Sequence, residues 1–291
     1  MDKIKKIAII TDSNSGILPS EAPDGVFILP MPFLVNGEPY FENINLTQER
    51  FYELLEEQAS VSTSQPSVGD LMDLWTDVLK EYDELLHIPM SSGLSNSCAT
   101  ATNLAKDFEG RVHVADNHRI SVSLKHSIFD AIKLRDQGLS AEQIKEELEK
   151  NAEKSSIYIM VDSMKYLKKG GRVTAAAAMI GTILKIKPIL QIHGEKLDKL
   201  ALPRNSIKAK EILKETLKND LETVYAKYVA TGEIALGVAH SNNEAQALTF
   251  AEDFKKLFPN IPVSFIDPLS LSVSCHIGPG SLGVAITRIV K

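Results

Sequence analysis

In the first half of the chain, short apolar runs alternate with longer segments whose apolar residues recur every three or four positions. The short runs predict four strands, at residues 4–10, 26–34, 84–88 and 112–115. The periodic segments predict four helices, at residues 48–58, 68–82, 97–108 and 121–137. A fifth helix begins after Ser140, because Gln143 completes a capping box with it. This alternation favours a parallel sheet flanked by helices.

The pattern changes after residue 154. Three strands are predicted, at residues 155–163, 233–240 and 263–266, and a fourth at 283–289 ends the chain. Helices are predicted at residues 163–169, 174–184, 206–228 and 244–257. Residues 187–202 predict a β-hairpin that turns at His193 and Gly194. We therefore predict an α/β fold with two domains: residues 1–154 form an α/β domain with a parallel sheet, and residues 155–291 form an α+β domain with a mixed sheet.

Composition narrows the class of protein. The net charge of −6 argues against a nucleic-acid-binding protein, which is usually basic. The two cysteines, Cys98 and Cys275, have neither metal-ligand spacing nor a disulfide framework, which is typical of the reducing cytoplasm. The apolar run at residues 7–10 is too short for a signal peptide, and no run approaches the ~20 apolar residues that span a bilayer. We expect a soluble cytoplasmic protein.

Hydroxyl-rich loops follow the predicted strands. Ser13 lies just after the first strand, where ligands of parallel sheets bind, although the sequence alone favours a simple turn at this position. Ser67 can cap the helix that follows it, which leaves Thr63 and Ser64 without a local structural role.

The segment around Ser91 and Ser92 offers the clearest candidate chemistry. Gly93 permits a tight turn, and a helix starts at residue 97, so we expect both serines at a helix N-terminus that attracts anions. The segment is neither a phosphate-binding P-loop nor a nucleophile elbow, because both motifs are missing from the sequence.

A hydrolase remains an alternative. Ser92, Asp267 and His276 occur in the chain order of α/β-hydrolase triads, but most chains of this size contain such an order. Cys275 and His276 make a poor nucleophile–base pair, because adjacent residues of an extended segment point to opposite faces. Arg172 is either a surface arginine or a donor for a carboxylate or phosphate, and the histidines have no metal-ligand spacing.

Together these segments resemble the DegV family, which includes the fatty-acid-binding subunits (FakB) of bacterial fatty acid kinases. The resemblance covers nearly the whole chain and rests on segments in the family's order: TDSNSG, FYELL, TSQPS, MSSGLS, LKKGGRV, LKIKPIL and HIGPGSLG. It implies a lipid tunnel associated with the interface of the two domains. It also implies a protein without catalytic residues, metal or cofactor, which presents a long-chain fatty acid to a separate ATP-dependent kinase that forms an acyl phosphate.

The resemblance also implies roles for individual residues. The carboxylate of the fatty acid would bind Thr63, Ser92, Gly93 and His276, with Ser13, Ser64 and Ser91 in the surrounding loops. Arg172 and Arg204 would face the kinase and the transferred phosphoryl group. We also expect transient contact with a membrane surface, and we expect no binding of nucleic acid.

Three alternatives stay open beside this hypothesis. They are a serine-dependent lipid esterase or thioesterase, a fatty-acid carrier without a kinase partner, and a regulatory protein with a vestigial tunnel. Asn96 departs from the glycine that the family has in this loop, which leaves the preferred chain length and saturation undetermined.

Overall fold

The structure, a computed structural model, describes residues 5–180 and 186–291. Its strands are β1 Ile7–Asp12, β2 Val26–Leu29, β3 Pro32–Val35, β4 Glu38–Phe41, β5 Val61–Thr63, β6 Glu84–Ile88, β7 Val112–Val114, β8 Ser155–Met160, β9 Ile189–Ile192, β10 Asp198–Ala201, β11 Ile234–His240, β12 Val263–Pro268 and β13 Leu282–Arg288. Its helices are α1 Gln48–Glu56, α2 Val68–Val78, α3 Ser97–Leu104, α4 Ser121–Asp136, α5 Ala141–Lys150, α6 Lys165–Gly170, α7 Ala175–Ala178, α8 Ser206–Glu222, α9 Ala226–Thr231, α10 Glu244–Leu257 and α11 Leu271–Ile277.

The predicted parallel sheet is confirmed, with strand order β2-β1-β6-β7 and every pair parallel. The mixed sheet of the second half is also confirmed, with order β10-β9-β8-β13-β11-β12. In it β11 and β12 are parallel, and the other pairs are antiparallel. The predicted hairpin forms its β9–β10 edge.

The prediction of a single strand at residues 26–34 is wrong. This segment divides at Pro30 and Met31, so that β2 pairs in the parallel sheet while β3 enters a third sheet of order β4-β3-β5. Proline donates no ladder hydrogen bond, and the two prolines Pro30 and Pro32 fall where the chain leaves one sheet for the other. The pattern did not reveal β4 and β5, because each has only three or four residues.

Two helix predictions in the second half change in detail. The predicted helix at residues 206–228 is interrupted between α8 and α9, where Thr223 leaves helical dihedral angles. Within the helix predicted at residues 174–184, the structure has the short helix α7. Residues 181–184 of that prediction lie outside the described residues. The short helix α6, predicted at residues 163–169, extends through Gly170, and Gly171 takes the left-handed conformation of its C-cap.

The segment around His276 is helical, which corrects the extended conformation assumed in its sequence analysis. Ser270 is the N-cap of α11, and its Oγ accepts a hydrogen bond from the Val273 amide at 3.4 Å. This capping serine is preceded by Pro268 and Leu269, and the serine-rich composition of the segment had hidden the helix.

Helix α4 lies at the centre of the molecule. It packs against β1 of the parallel sheet and against β11 and β13 of the mixed sheet. Ten of its sixteen residues are buried, so its apolar surface is shared between both sheets. One core cluster accordingly joins Ile9 and Ile88 of the parallel sheet to Ile159 and Ala285 of the mixed sheet. The division into domains at residues 154 and 155 stays a prediction.

None of the helices in the described ranges, 5–180 and 186–291, is long and apolar enough to cross a membrane.

Candidate functional site

A cavity of about 230 Å³ lies between the two large sheets. Apolar side chains from both halves of the chain form most of its wall: Ile120 and Val122 at the start of α4, Ile157 and Ile159 on β8, Ile192 on β9 and Val284 on β13. Such a cavity excludes charged ligands from its apolar part and suits a hydrocarbon chain.

The polar end of the cavity joins Thr63 to His276. Thr63 is the last residue of β5, and His276 lies in the last turn of α11. Thr63 Oγ1 lies 2.9 Å from His276 Nε2. The two residues were predicted to share a site, and the fold brings them into hydrogen-bond contact.

Arg172 lines the same end of the cavity. Its guanidinium donates to the Gly170 carbonyl at 2.6 Å and to the Leu94 carbonyl at 3.3 Å. These bonds hold a positive charge at the polar end of an otherwise apolar space, which favours an anionic ligand group.

His276 is neutral at physiological pH. Burial, reinforced by the charge of Arg172, lowers the pKa of His276 to about 4. Its buried Nδ1 has no hydrogen-bond partner among residues 5–180 and 186–291. A neutral imidazole offers one donor and one acceptor, so it can bind a carboxylate oxygen while it contacts Thr63.

Gly170 is required by the approach of α6 to α11. A Cβ atom at this position would lie 2.0 Å from His276 Nδ1. The two glycines therefore have different functions: Gly170 makes room for the imidazole, and Gly171, at φ 68°, ends the helix.

The serine loop differs from its prediction. Ser91 is buried and donates to the Gly194 carbonyl at 2.6 Å, so its hydroxyl serves the fold. Ser92 is exposed and does not line the cavity, and its amide donates to Asp116 at 3.3 Å. Gly93 faces the backbone of the β9–β10 turn, where a Cβ would lie 2.7 Å from Glu195 Cα.

The residues at the start of α3 are Ser95 and Asn96, rather than Ser91 and Ser92, and both line the cavity. Ser95 Oγ accepts a hydrogen bond from the Ser97 amide at 3.1 Å. Ser95 was not among the predicted site residues, although its position two residues before the start of α3 is a usable signal.

The remaining candidates divide between the cavity and the surface. Ser64 lines the cavity and is exposed. Ser13 does not line it, and its Oγ accepts from the Met31 amide at 3.0 Å, whereas its neighbour Asn14 does line it. Arg204 is exposed and lies outside the cavity wall.

The side chains considered for a hydrolase are not assembled as a triad. Asp267 pairs with Lys125 at 2.7 Å, while His276 contacts Thr63. Cys275 is buried in an apolar cluster, and burial raises the pKa of its thiol to about 12. Across the described part of the chain, no group of histidine, cysteine and acidic side chains could hold a metal ion.

Comparisons with known proteins agree with this picture. The family described as "Uncharacterised protein, DegV family" matches residues 6–288. A DegV domain-containing protein of Clostridium acetobutylicum is 31% identical over 251 residues, which are 84% of this chain and 85% of the relative.

Two solved structures share the fold. A DegV family protein from Thermus thermophilus, described for its fatty acid binding, has 26% identity and a TM-score of 0.84, covering 98% of this chain and 100% of that one. DegV from Bacillus subtilis, a fatty acid binding protein, has 28% identity and a TM-score of 0.83, covering 98% and 99%.

Proposed function

This chain belongs to the DegV family, and from that premise we propose that it binds a long-chain fatty acid in the cavity between its sheets. The observation that carries the proposal is an apolar cavity with one polar end, where Thr63, His276 and Arg172 converge. The fatty acid binding of the relatives from Thermus thermophilus and Bacillus subtilis supports it.

The polar end would hold the carboxylate. The contact between the Thr63 hydroxyl and the neutral His276 imidazole uses one of their two polar hydrogens, so the other can be donated to a carboxylate oxygen, and the Arg172 guanidinium compensates the carboxylate's charge. Ser95 adds a hydroxyl to the cavity wall. The roles of Ser92 and Gly93 in carboxylate binding remain predictions of the family resemblance. Neither residue lines the cavity, so their loop would have to move for them to reach the ligand.

The acyl chain would supply most of the affinity. At ~0.8 kcal/mol for each buried CH₂ group, a chain of sixteen carbons gains on the order of 10 kcal/mol before the costs of association. A ligand held this way survives purification.

The first test is mass spectrometry of an organic extract from the purified, denatured protein. We expect a fatty acid at close to one molecule per chain. An extract without fatty acid, together with no uptake of added hexadecanoate, would overturn the proposal and favour a vestigial cavity.

We further propose that a separate ATP-dependent fatty acid kinase uses the bound lipid. A carboxylate oxygen would form a bond to the γ-phosphorus of ATP while the bond to the β,γ-bridging oxygen breaks, giving an acyl phosphate and ADP. The sequence has no P-loop motif for ATP, so the nucleotide would come with the partner. A cytoplasmic location fits ATP as the co-substrate and the two unpaired cysteines.

The exposed Arg204 is the residue with which to test this step. With the kinase of the same genome, Arg204→Ala should keep the fatty acid bound but slow acyl-phosphate formation, measured as hydroxamate after trapping. Arg50→Ala, at an exposed arginine of α1, is the matched control. Equal rates for both variants and the natural chain would mean that Arg204 does not contact the kinase. If the natural chain gives no acyl phosphate at all, the result favours a fatty-acid carrier without a kinase partner.

A further inference from the structure

The cavity contains a second polar cluster apart from the Thr63–His276 end. Asn14 and Ser272 both line the cavity and are only 2% and 7% exposed. Ser270, which caps α11, completes the cluster behind them. Polar side chains are unfavourable in the buried wall of a hydrocarbon site, because an aliphatic chain cannot form hydrogen bonds with them.

The hydrogen bonds of the cluster leave capacity on the cavity side. Asn14 Oδ1 accepts from the hydroxyls of Ser270, at 2.7 Å, and Ser272. Asn14 Nδ2 donates to the Met90 sulfur at 3.0 Å, and the Asn14 side chain also donates to the Asp12 carboxylate. Both N–H groups of the amide are therefore engaged within the fold, whereas the hydroxyl oxygen of Ser272 has two lone pairs and can accept a hydrogen bond.

Structural demands account for only part of this cluster. Ser270 caps α11, and its bond to Asn14 already ties the first strand's loop to that helix. The hydroxyl of Ser272 contacts only Asn14 and, at 3.4 Å, Ser270 among the described residues. Its oxygen therefore keeps acceptor capacity that these contacts do not use.

We propose that Ser272, oriented by Asn14, recognises a hydroxyl group on the bound acyl chain, which makes hydroxylated fatty acids the preferred ligand class. The inference rests on the proposed fatty acid binding. The ligand hydroxyl donates to Ser272 Oγ, while the bond from Ser272 to Asn14 Oδ1 holds the serine hydroxyl in place.

The position of the substituent follows from helix geometry. Ser272 and His276 are four residues apart and lie on the same face of α11, about 6 Å along its axis. With the carboxylate at His276, the oxygenated carbon belongs to the half of the acyl chain nearer the carboxylate.

The test is a competition series against a fluorescent fatty acid in the natural chain. It compares hexadecanoate with its 3-, 5- and 7-hydroxy derivatives and with 16-hydroxyhexadecanoate. We expect at least one of the three carboxyl-proximal derivatives to bind about tenfold more tightly than hexadecanoate, the effect of one well-placed hydrogen bond. The 16-hydroxy derivative should gain nothing.

Variants show whether the cluster causes the preference. Ser272→Ala, and separately Asn14→Leu, should bring the ratio of the two dissociation constants, hydroxylated to unsubstituted, close to one. The matched control is Ser274→Ala on the same helix, whose buried hydroxyl contacts Tyr52 and does not line the cavity. It should retain the ratio of the natural chain.

The outcomes separate the two proposals. Equal binding of hexadecanoate and every hydroxylated derivative overturns this inference and leaves fatty acid binding intact. A preference that persists in Ser272→Ala also overturns it, because that variant lacks the hydroxyl that accepts from the ligand. Failure of all the acids to bind overturns both proposals.

Discussion

The Thr63–His276 contact shows how single residues give the cavity its polarity. The threonine hydroxyl and the imidazole share one hydrogen bond, which leaves one polar hydrogen that the pair can donate to an anion, and burial keeps the imidazole uncharged. Arg172 then supplies the positive charge of the site. A carboxylate that binds here would raise the pKa of His276, because a negative charge favours the protonated ring.

Thr63→Val keeps the shape of the side chain and removes its hydroxyl. We expect it to weaken hexadecanoate binding about tenfold by isothermal titration calorimetry, because one hydrogen bond to a charged group is lost. Ser62→Ala is the control, since Ser62 is the exposed neighbour on β5. Unchanged affinity in Thr63→Val would mean that the carboxylate binds elsewhere.

His87 links stability to pH. It is fully buried beside Trp75, its ring nitrogens have no partner among the described residues, and burial lowers the pKa of His87 from 6.5 to about 3. Between these two pH values the unfolded chain binds a proton that the folded chain does not. The contribution of His87 to stability therefore falls as the pH falls through this window.

His87→Phe removes this proton linkage. We expect the free energy of unfolding of the variant, relative to the natural chain, to rise by about 1 kcal/mol for each pH unit from pH 6 to pH 4. Urea unfolding at several pH values measures it. A difference that does not vary with pH would show that His87 titrates normally in the folded protein.

Helix α11 is the element that presents the site. Its N-terminus is held by Glu42, whose carboxylate accepts from the Leu271 amide at 2.8 Å and from Gln48 Nε2 at 2.6 Å. Tyr52 and Ser274 bond at 2.9 Å on its buried side. Helix α11 also packs against β3 and against β5, the strand that carries Thr63, so the two polar residues of the site belong to one packed unit.

Gly170→Ala should disturb this unit, because the added Cβ meets the His276 ring. We expect a loss of about 1–3 kcal/mol in the free energy of unfolding, typical of overpacking, together with weaker fatty acid binding. The measurements are urea unfolding and calorimetric titration. Gly69→Ala in α2, where the nearest atom is 3.7 Å away, is the control and should be neutral or stabilising.

A double variant makes the cause specific. Gly170→Ala with His276→Ala should recover part of the stability lost by Gly170→Ala alone, since the clash needs both side chains. If the losses in the free energy of unfolding of the two single variants simply add, Gly170→Ala acts through the backbone of α6 and not through the contact with α11.

At the level of the whole molecule, α4 couples the two large sheets. Its buried apolar residues belong to the core cluster that contains strands from both halves of the chain. Neither sheet can cover its inner face without this helix. We therefore expect the halves to unfold together, although they were predicted as separate domains.

Leu124→Ala tests this coupling, because Leu124 is fully buried in α4. We expect a loss of about 2–5 kcal/mol and a single transition in guanidinium chloride. Fluorescence of Trp75, the only tryptophan, reports the core against the parallel sheet, and circular dichroism reports the whole chain. Leu248→Ala, at an exposed leucine, is the control. Separate midpoints for the two signals would contradict the coupling.

The sequence by itself determined most of the strands and helices and the two types of sheet. These depend on local patterns: apolar runs such as residues 84–88, and capping residues such as Ser140, act within a few positions along the chain. The motifs around Thr63, Arg172 and His276 were also sufficient to indicate the DegV family, and through that resemblance they predict a ligand with a carboxylate.

Only the tertiary structure decided which of these residues meet. Thr63 and His276 are 213 positions apart, and Asn14 and Ser272 are 258 apart, distances over which a single sequence carries no pairing information. The turn at residues 91–97 also could not be placed from the sequence. Ser92 and Ser95 are only three positions apart, yet the turn exposes Ser92 and places Ser95 in the cavity wall. Local propensity selects elements, whereas packing between elements selects the side chains that line a cavity.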